Sequence, residues 1–219
     1  MAPASYKLVI GNKTWSSWSL RPWLLMRQFA IAFEEVHIRL RSLDTAEQIK
    51  AYSPSGKIPA LIADGLTVWD TLAIVEFLAD AHPGLPIWPT DANTRAIARS
   101  VSAEMHSGFV PLRQNCAMDF TARGLKPLDE GAIAGDVARI VEIWRMCRKT
   151  YGGNGQYLFG EFSAADAMYA PVVSRFVSYD LDLANYGDDG VAAAYVATMM
   201  KLPGMVAWGK AAMWEGMSR

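Results

Sequence analysis

Along the first third of the chain, two hydrophobic periods alternate. Residues 6–11 (YKLVIG) are a short apolar run, which predicts a strand. Residues 21–30 (RPWLLMRQFA) have helical character, with Ser19 as N-cap and Pro22 tolerated in the first turn. Residues 35–39 (EVHIR) alternate apolar and polar like a second strand. Thr45-x-x-Gln48 is a capping-box pattern opening a short helix, which Ser53-Pro54-Ser55-Gly56 stops. The runs ALIA (60–63) and LTVW (66–69) flank Asp64-Gly65, a strong signal for a type I′ hairpin. Ile74, Phe77, Leu78 and Ala81 then follow helical spacing. The resulting order is β-α-β-α-β-β-α. Its opening strand-helix-strand unit calls for a parallel pair with a right-handed crossover, and its hairpin adds antiparallel pairing.

That order is the one of a thioredoxin-like domain. After it, Pro83, Pro86 and Pro89 form a stiff linker (PGLPIWP), and strand signals fade. Residues 94–115, 133–150, 164–177, 191–199 and 203–215 read as helices. The expected fold class is therefore α/β plus all-α. A thioredoxin-like domain spans 1–82, a linker 83–92 and an all-helical domain 93–219.

Composition narrows the functions. Of 219 residues, 52% are apolar and 20% charged, as in a globular protein with a large core. A net charge of −1 and scattered basic residues argue against nucleic acid or an anionic membrane as partner. The N-terminal residues lack the pattern of a signal peptide, and no long uncharged apolar window predicts a membrane span. Cys116 and Cys147 are too far apart for a CxxC pair or a zinc site. A reducing cytoplasm suits such a chain. His37, His82 and His106 fall in different elements, so no metal site is expected. Gly152, Gly153 and Gly155 read as a loop between helices, since no strand precedes them.

Four local patterns carry a family resemblance. They are Ser16-Ser17-Trp18-Ser19-Leu20-Arg21-Pro22, Ser53-Pro54-Ser55-Gly56-Lys57-Ile58-Pro59-Ala60-Leu61, Asp70-Thr71 and Ser163-Ala164-Ala165-Asp166. In their order and spacing the chain resembles the cytosolic glutathione transferases over essentially its whole length. The first pattern is similar to the serine-type turn of the zeta and related bacterial classes. Three positions depart from it. Trp18 stands where zeta members carry cysteine, Ser53 replaces the usual Asn, and Thr71 replaces the usual Ser.

The resemblance implies glutathione as co-substrate and a defined chemistry. A free cysteine thiol has a pKa of about 8.5, so little of it is thiolate at neutral pH. Lowering that by two units takes roughly 2.7 kcal/mol of preferential thiolate stabilisation. The N-terminus of the first helix favours an anion, and a hydroxyl on the preceding loop adds a donor. Ser16, five residues before Arg21, is the expected donor to sulfur, with Ser17 the runner-up. Without the other patterns, these serines would read as turn and cap residues. No GxSxG elbow supports a serine hydrolase. Tyr6 is read as packing.

The other expected glutathione contacts also follow from the resemblance. Ile58 presents its backbone N–H and C=O to the tripeptide like an added strand, before a Pro59 that the family has in cis. Lys57 meets the glycine carboxylate or is simply solvated. The Thr71 hydroxyl and N–H hold the γ-glutamyl carboxylate at a helix N-terminus, with Asp70 facing the ammonium. Asp70 is otherwise a plain N-cap. Ser163 and Asp166 are structural caps. For the electrophile pocket the candidates are Trp15, Trp18, Met105, Phe109, Arg113 and Arg175, with His106 and Asn115 on or near the same helix, each with packing or surface exposure as the alternative.

The activity implied is transfer of glutathione to an electrophile. The alternatives are a zeta-like glutathione-dependent isomerase of the maleylacetoacetate type, a thiol reductase, for which the chain lacks a suitably placed cysteine, and a non-catalytic binding module of the same fold. The resemblance further implies a homodimer.

Overall fold

The computed structural model describes residues 5–217. Four strands and three helices come first: β1 (Tyr6–Ile10), α1 (Ser17–Gln28), β2 (Glu34–His37), α2 (Thr45–Tyr52), β3 (Ala60–Ala63), β4 (Leu66–Trp69) and α3 (Thr71–Ala81). The sheet runs β2-β1-β3-β4, with β1 and β2 parallel and the remaining pairs antiparallel. Asp64 (φ 47°) and Gly65 (φ 90°) both lie in the left-handed region that a type I′ turn demands. The fold is a thioredoxin-like domain followed by an all-helical one.

The helical part comprises α4 (Ala92–Ser107), α5 (Val110–Asn115), α6 (Glu130–Tyr151), α7 (Ala164–Ser178), α8 (Val191–Lys201) and α9 (Pro203–Met217). A short 3-10 turn, Leu183–Tyr186, precedes α8. One continuous apolar core runs from β1 to α9. Helix α1 packs against α7, α3 and α9, which explains why Ser19 through Met26 are all buried. A helix covered on every side needs apolar residues all round, and LRPWLLM supplies them. Val9, Ile38, Ile49 and Ala60 form a smaller cluster under α2.

Local expectations fail at three places. Helix α1 begins at Ser17 with Ser16 in the N-cap position, because the Asn12 carbonyl already accepts the N–H groups of Trp15 and Ser16. Ser19 is therefore a buried first-turn residue and not the cap. Thr45 forms no capping box; its hydroxyl accepts from Ser42 N and donates to Arg39 O, and Asp44 holds the N-cap position. The alternation expected over 35–39 is present, with Glu35, His37 and Arg39 exposed, Val36 half-buried and Ile38 buried, although strand β2 itself spans Glu34–His37. The helix expected over 94–115 breaks at Gly108 and Phe109. A Cβ at Gly108 would sit 2.7 Å from the Glu104 carbonyl oxygen, and Phe109 turns left-handed at φ 56°.

Candidate active site

A cleft of about 510 Å³ opens where the C-terminal edge of the sheet meets α4. Trp18, Ser55, Lys57, Ile58, Pro59, Trp69, Asp70, Thr71 and His106 line it. The β3 register starts at Ala60, opposite Val9, so Ile58 stands outside the ladder. The Ile58–Pro59 peptide is cis. Lys57 is exposed at the rim.

Asp70 divides its carboxylate between two tasks. One oxygen caps α3, accepting from Leu72 N at 2.9 Å and Ala73 N at 3.4 Å. The other faces the cleft, 3.2 Å from His106 Nε2. The N-cap and cleft-facing readings of Asp70 thus coexist in one side chain. Thr71 is different. Its side chain is buried, and its hydroxyl donates to the Trp18 carbonyl oxygen at 3.2 Å. Thr71 lines the cleft, and holding a ligand carboxylate through this hydroxyl requires it to rotate away from the Trp18 carbonyl.

The serines sit one step behind the cleft wall. Ser16 is 8% exposed, and its hydroxyl donates to Ser19 Oγ at 2.7 Å. Ser19 Oγ also accepts from Gly11 N at 3.2 Å. Ser17 is half-buried at the first position of α1. Neither serine is among the lining residues, whereas the adjacent Trp18 is. Reaching a sulfur atom in the cleft requires the Ser16 hydroxyl to rotate away from Ser19.

Of the residues expected at the electrophile pocket, Trp18 and His106 line the cleft. Trp15 stacks under Arg41, 4.5 Å from its ring centre, and borders a separate hollow with Asp119 and Met213. Met105 is wholly buried and Phe109 is core. Arg175 is buried in α7, where Nε donates to Cys116 O at 2.8 Å and Nη1 to Pro171 O at 3.3 Å. Its assignment to the pocket is corrected: those carbonyls hold it inside the helical domain. Arg113 is half-buried, 5.5 Å from the Trp18 ring centre.

Ser55 and Trp69 line the cleft and Arg21 lies behind it, and sequence reasoning assigned none of the three to the site, whereas His106 was expected only as one residue of the helical wall. His106 stands edge-on to Trp18, with ring centres 5.2 Å apart. Arg21 lies behind Trp18 at 4.2 Å from the ring centre, fully buried, with Nε donating to Met168 O at 2.8 Å. Its Nη1 and Nη2 have no partner. Burial, then the neighbouring Arg175 and Arg113 charges, pushes the Arg21 pKa well below its ordinary value. A ring of cation and imidazole thus surrounds Trp18. The sequence signal was only RPW and MH, two short strings whose meeting depends on the fold.

Among the described residues no group of His, Cys, Asp and Glu could hold a metal ion. No single helix among them is long and apolar enough to cross a membrane.

Residues 15–81 match the family described as glutathione S-transferase, N-terminal domain. A probable maleylacetoacetate isomerase of Caenorhabditis elegans is 27% identical over 176 residues, covering 78% of each chain. The maleylacetoacetate isomerase of Rattus norvegicus is 29% identical over 175 residues, covering 78% of this chain and 77% of its own. Among solved structures, a zeta-class bacterial maleyl pyruvate isomerase superposes with a TM-score of 0.71 at 22% identity, over 94% of this chain and 97% of its own. The family match begins at the serine turn and ends with α3, the same segment that builds most of the cleft wall, and over that segment the chain is similar to the N-terminal domain of the glutathione S-transferases.

Proposed function

We propose that this chain is a glutathione-dependent transferase that binds the tripeptide in the Trp18–Asp70 cleft and stabilises its thiolate for attack on a small electrophile. The observation that carries the reading is the second oxygen of Asp70, free of the helix cap and turned into the cleft beside an Ile58 backbone that no strand has claimed. An ammonium at Asp70 and a peptide backbone at Ile58 describe the two ends of a γ-glutamyl-cysteinyl unit. Lys57 at the rim meets the glycine carboxylate. The sulfur then falls near the N-terminus of α1, where the helix dipole and a Ser16 or Ser17 hydroxyl favour the anion.

In this reading residues 1–82 bind glutathione, 83–92 link, and 93–219 supply the wall for the second substrate. The protein works as a homodimer in the cytoplasm. The direct test is wild type against Ser16→Ala and Ser17→Ala, read by thiolate absorbance of bound glutathione and turnover of a chromogenic aryl halide. Unchanged turnover in both variants removes the serine role. Wild-type protein that binds glutathione without forming thiolate turns the reading toward a non-catalytic module.

A second reading is a zeta-like isomerase acting on an unsaturated diacid of the maleylacetoacetate type. The specific observation is the cationic surround of Trp18, made by Arg21 and Arg113. An anionic electrophile is drawn there, and a neutral one gains nothing from it. Glutathione-dependent cis-trans isomerisation of such an acid, with weak activity on aryl halides, selects this reading.

A further inference from the structure

The loop before the serine turn is held by the far end of the chain. Asn12, Lys13 and Thr14 leave β1 and lead to Ser16. The Lys13 N–H donates to both carboxylate oxygens of Glu215, at 3.1 and 2.9 Å. Asn12 Nδ2 donates to the same carboxylate at 3.4 Å. The Lys13 carbonyl accepts from Trp208 Nε1 at 2.7 Å. The Thr14 hydroxyl donates to the Ala212 carbonyl at 3.4 Å. Trp208, Ala212 and Glu215 are spaced i, i+4 and i+7, so a single face of α9 makes all of these bonds. The Lys13 ammonium in turn pairs with Glu35 and lies 5.5 Å from the Trp208 ring centre. His37 Nε2 braces Glu215 from β2 at 3.0 Å.

We infer that Glu215 is a positioning residue for thiol activation, acting through the Lys13 amide on the Ser16–Ser17 turn. The inference rests on the glutathione reading above. Two features make it specific. First, Glu215 and Trp208 bond the backbone N–H and carbonyl of Lys13, so they fix the path of the loop and not merely a side chain. Second, the Asn12 carbonyl that starts the turn accepts from Trp15 N and Ser16 N, so a shift at Lys13 is passed directly to the residue facing sulfur. The Ile58 and Asp70 parts of the cleft lie outside this clamp. Loosening it therefore affects the sulfur and spares the rest of the tripeptide. Misplacing a reacting group by a fraction of an ångström is enough to cost rate.

The test compares wild type with Glu215→Gln and Glu215→Asp, each first shown to be folded by circular dichroism. Glu215→Gln keeps the side-chain size and removes the charge. Glu215→Asp keeps the charge but withdraws it by one methylene. Both are expected to speed hydrogen exchange at the Lys13 amide, to raise the thiol pKa of bound glutathione, and to lower kcat about tenfold with glutathione KM near wild type. A purely structural role would lower the melting temperature and leave the thiol pKa of the folded fraction unmoved, which overturns the inference. Unchanged kcat and thiol pKa in folded variants also overturn it. A wild-type protein with no thiolate at all overturns the glutathione-activation reading itself, and this inference with it.

Discussion

The Thr71 hydroxyl bonds to the Trp18 carbonyl oxygen, 3.2 Å away across the cleft floor. In an uninterrupted helix that carbonyl accepts from the residue four places on. Here that residue is Pro22, which has no N–H. Thr71 fills the gap and ties the start of α3 to the first turn of α1. The two helix N-termini that flank the cleft are thereby held at a fixed separation.

Thr71→Val keeps the shape and removes the donor. The part-buried Trp18 carbonyl then loses this partner, which costs about 1 kcal/mol or more. Urea unfolding should show that loss, and Thr71→Ser should recover most of it. Equal stability in Thr71→Val would mean that water reaches the carbonyl.

Ser16→Ala removes the proposed donor to sulfur. By analogy with other single oxyanion donors, kcat should fall about a hundredfold. Steady-state kinetics at saturating glutathione check this, and Ser17→Ala run in parallel assigns the role to one hydroxyl. The Ser16 bond to Ser19 is lost as well, so the unfolding midpoint should be recorded for each variant.

Asp70→Asn separates the two tasks of that side chain. Asn caps a helix about as well as Asp, so stability should hold. The charge proposed to face the γ-glutamyl ammonium disappears, and glutathione affinity should drop about tenfold or more. Calorimetric titration beside a melting curve distinguishes the outcomes. A large loss of stability with unchanged affinity would make Asp70 a cap and nothing else.

Stability should respond to pH through Glu215. Partial burial raises its pKa, but the His37 bond, the Lys13 N–H and Asn12 outweigh this and hold it below the ordinary 4.5. A depressed carboxyl pKa stabilises the fold at pH above the unfolded value and loses that contribution as pH falls through the folded one. Wild type should therefore lose part of its advantage over Glu215→Gln as pH drops below about 4.5. Parallel stability curves for the two proteins across the acid range would contradict the depressed pKa.

Much of the amino-terminal half was legible because its signals are local. Asp64-Gly65 demands positive φ at successive residues, and the chain has them at 47° and 90°. Ser163 and Asp166 form the capping box their spacing announces. The missed elements failed for equally concrete reasons. The helical reading of 94–115 runs straight through Gly108, where the Gly108 N–H closes α4 onto the Glu104 carbonyl and Phe109 turns left-handed. Arg175 looks like any arginine in a helix until the carbonyls of Cys116 and Pro171 are folded around it.

The site divides along the same line. The sequence alone determined the strand and helix order, the hairpin and the serine turn, because each depends on neighbours within a few positions, and its short motifs named Lys57, Ile58, Pro59, Asp70 and Thr71, all of which line the cleft. Tertiary structure alone decided where the side chains point. It turned the Ser16 hydroxyl to Ser19, spent the Thr71 proton on Trp18, set His106 against Asp70, and brought Glu215 to Lys13 across 202 residues of chain. Hydrogen bonds and ion pairs act over a few ångströms of space, and a linear string carries no measure of that distance.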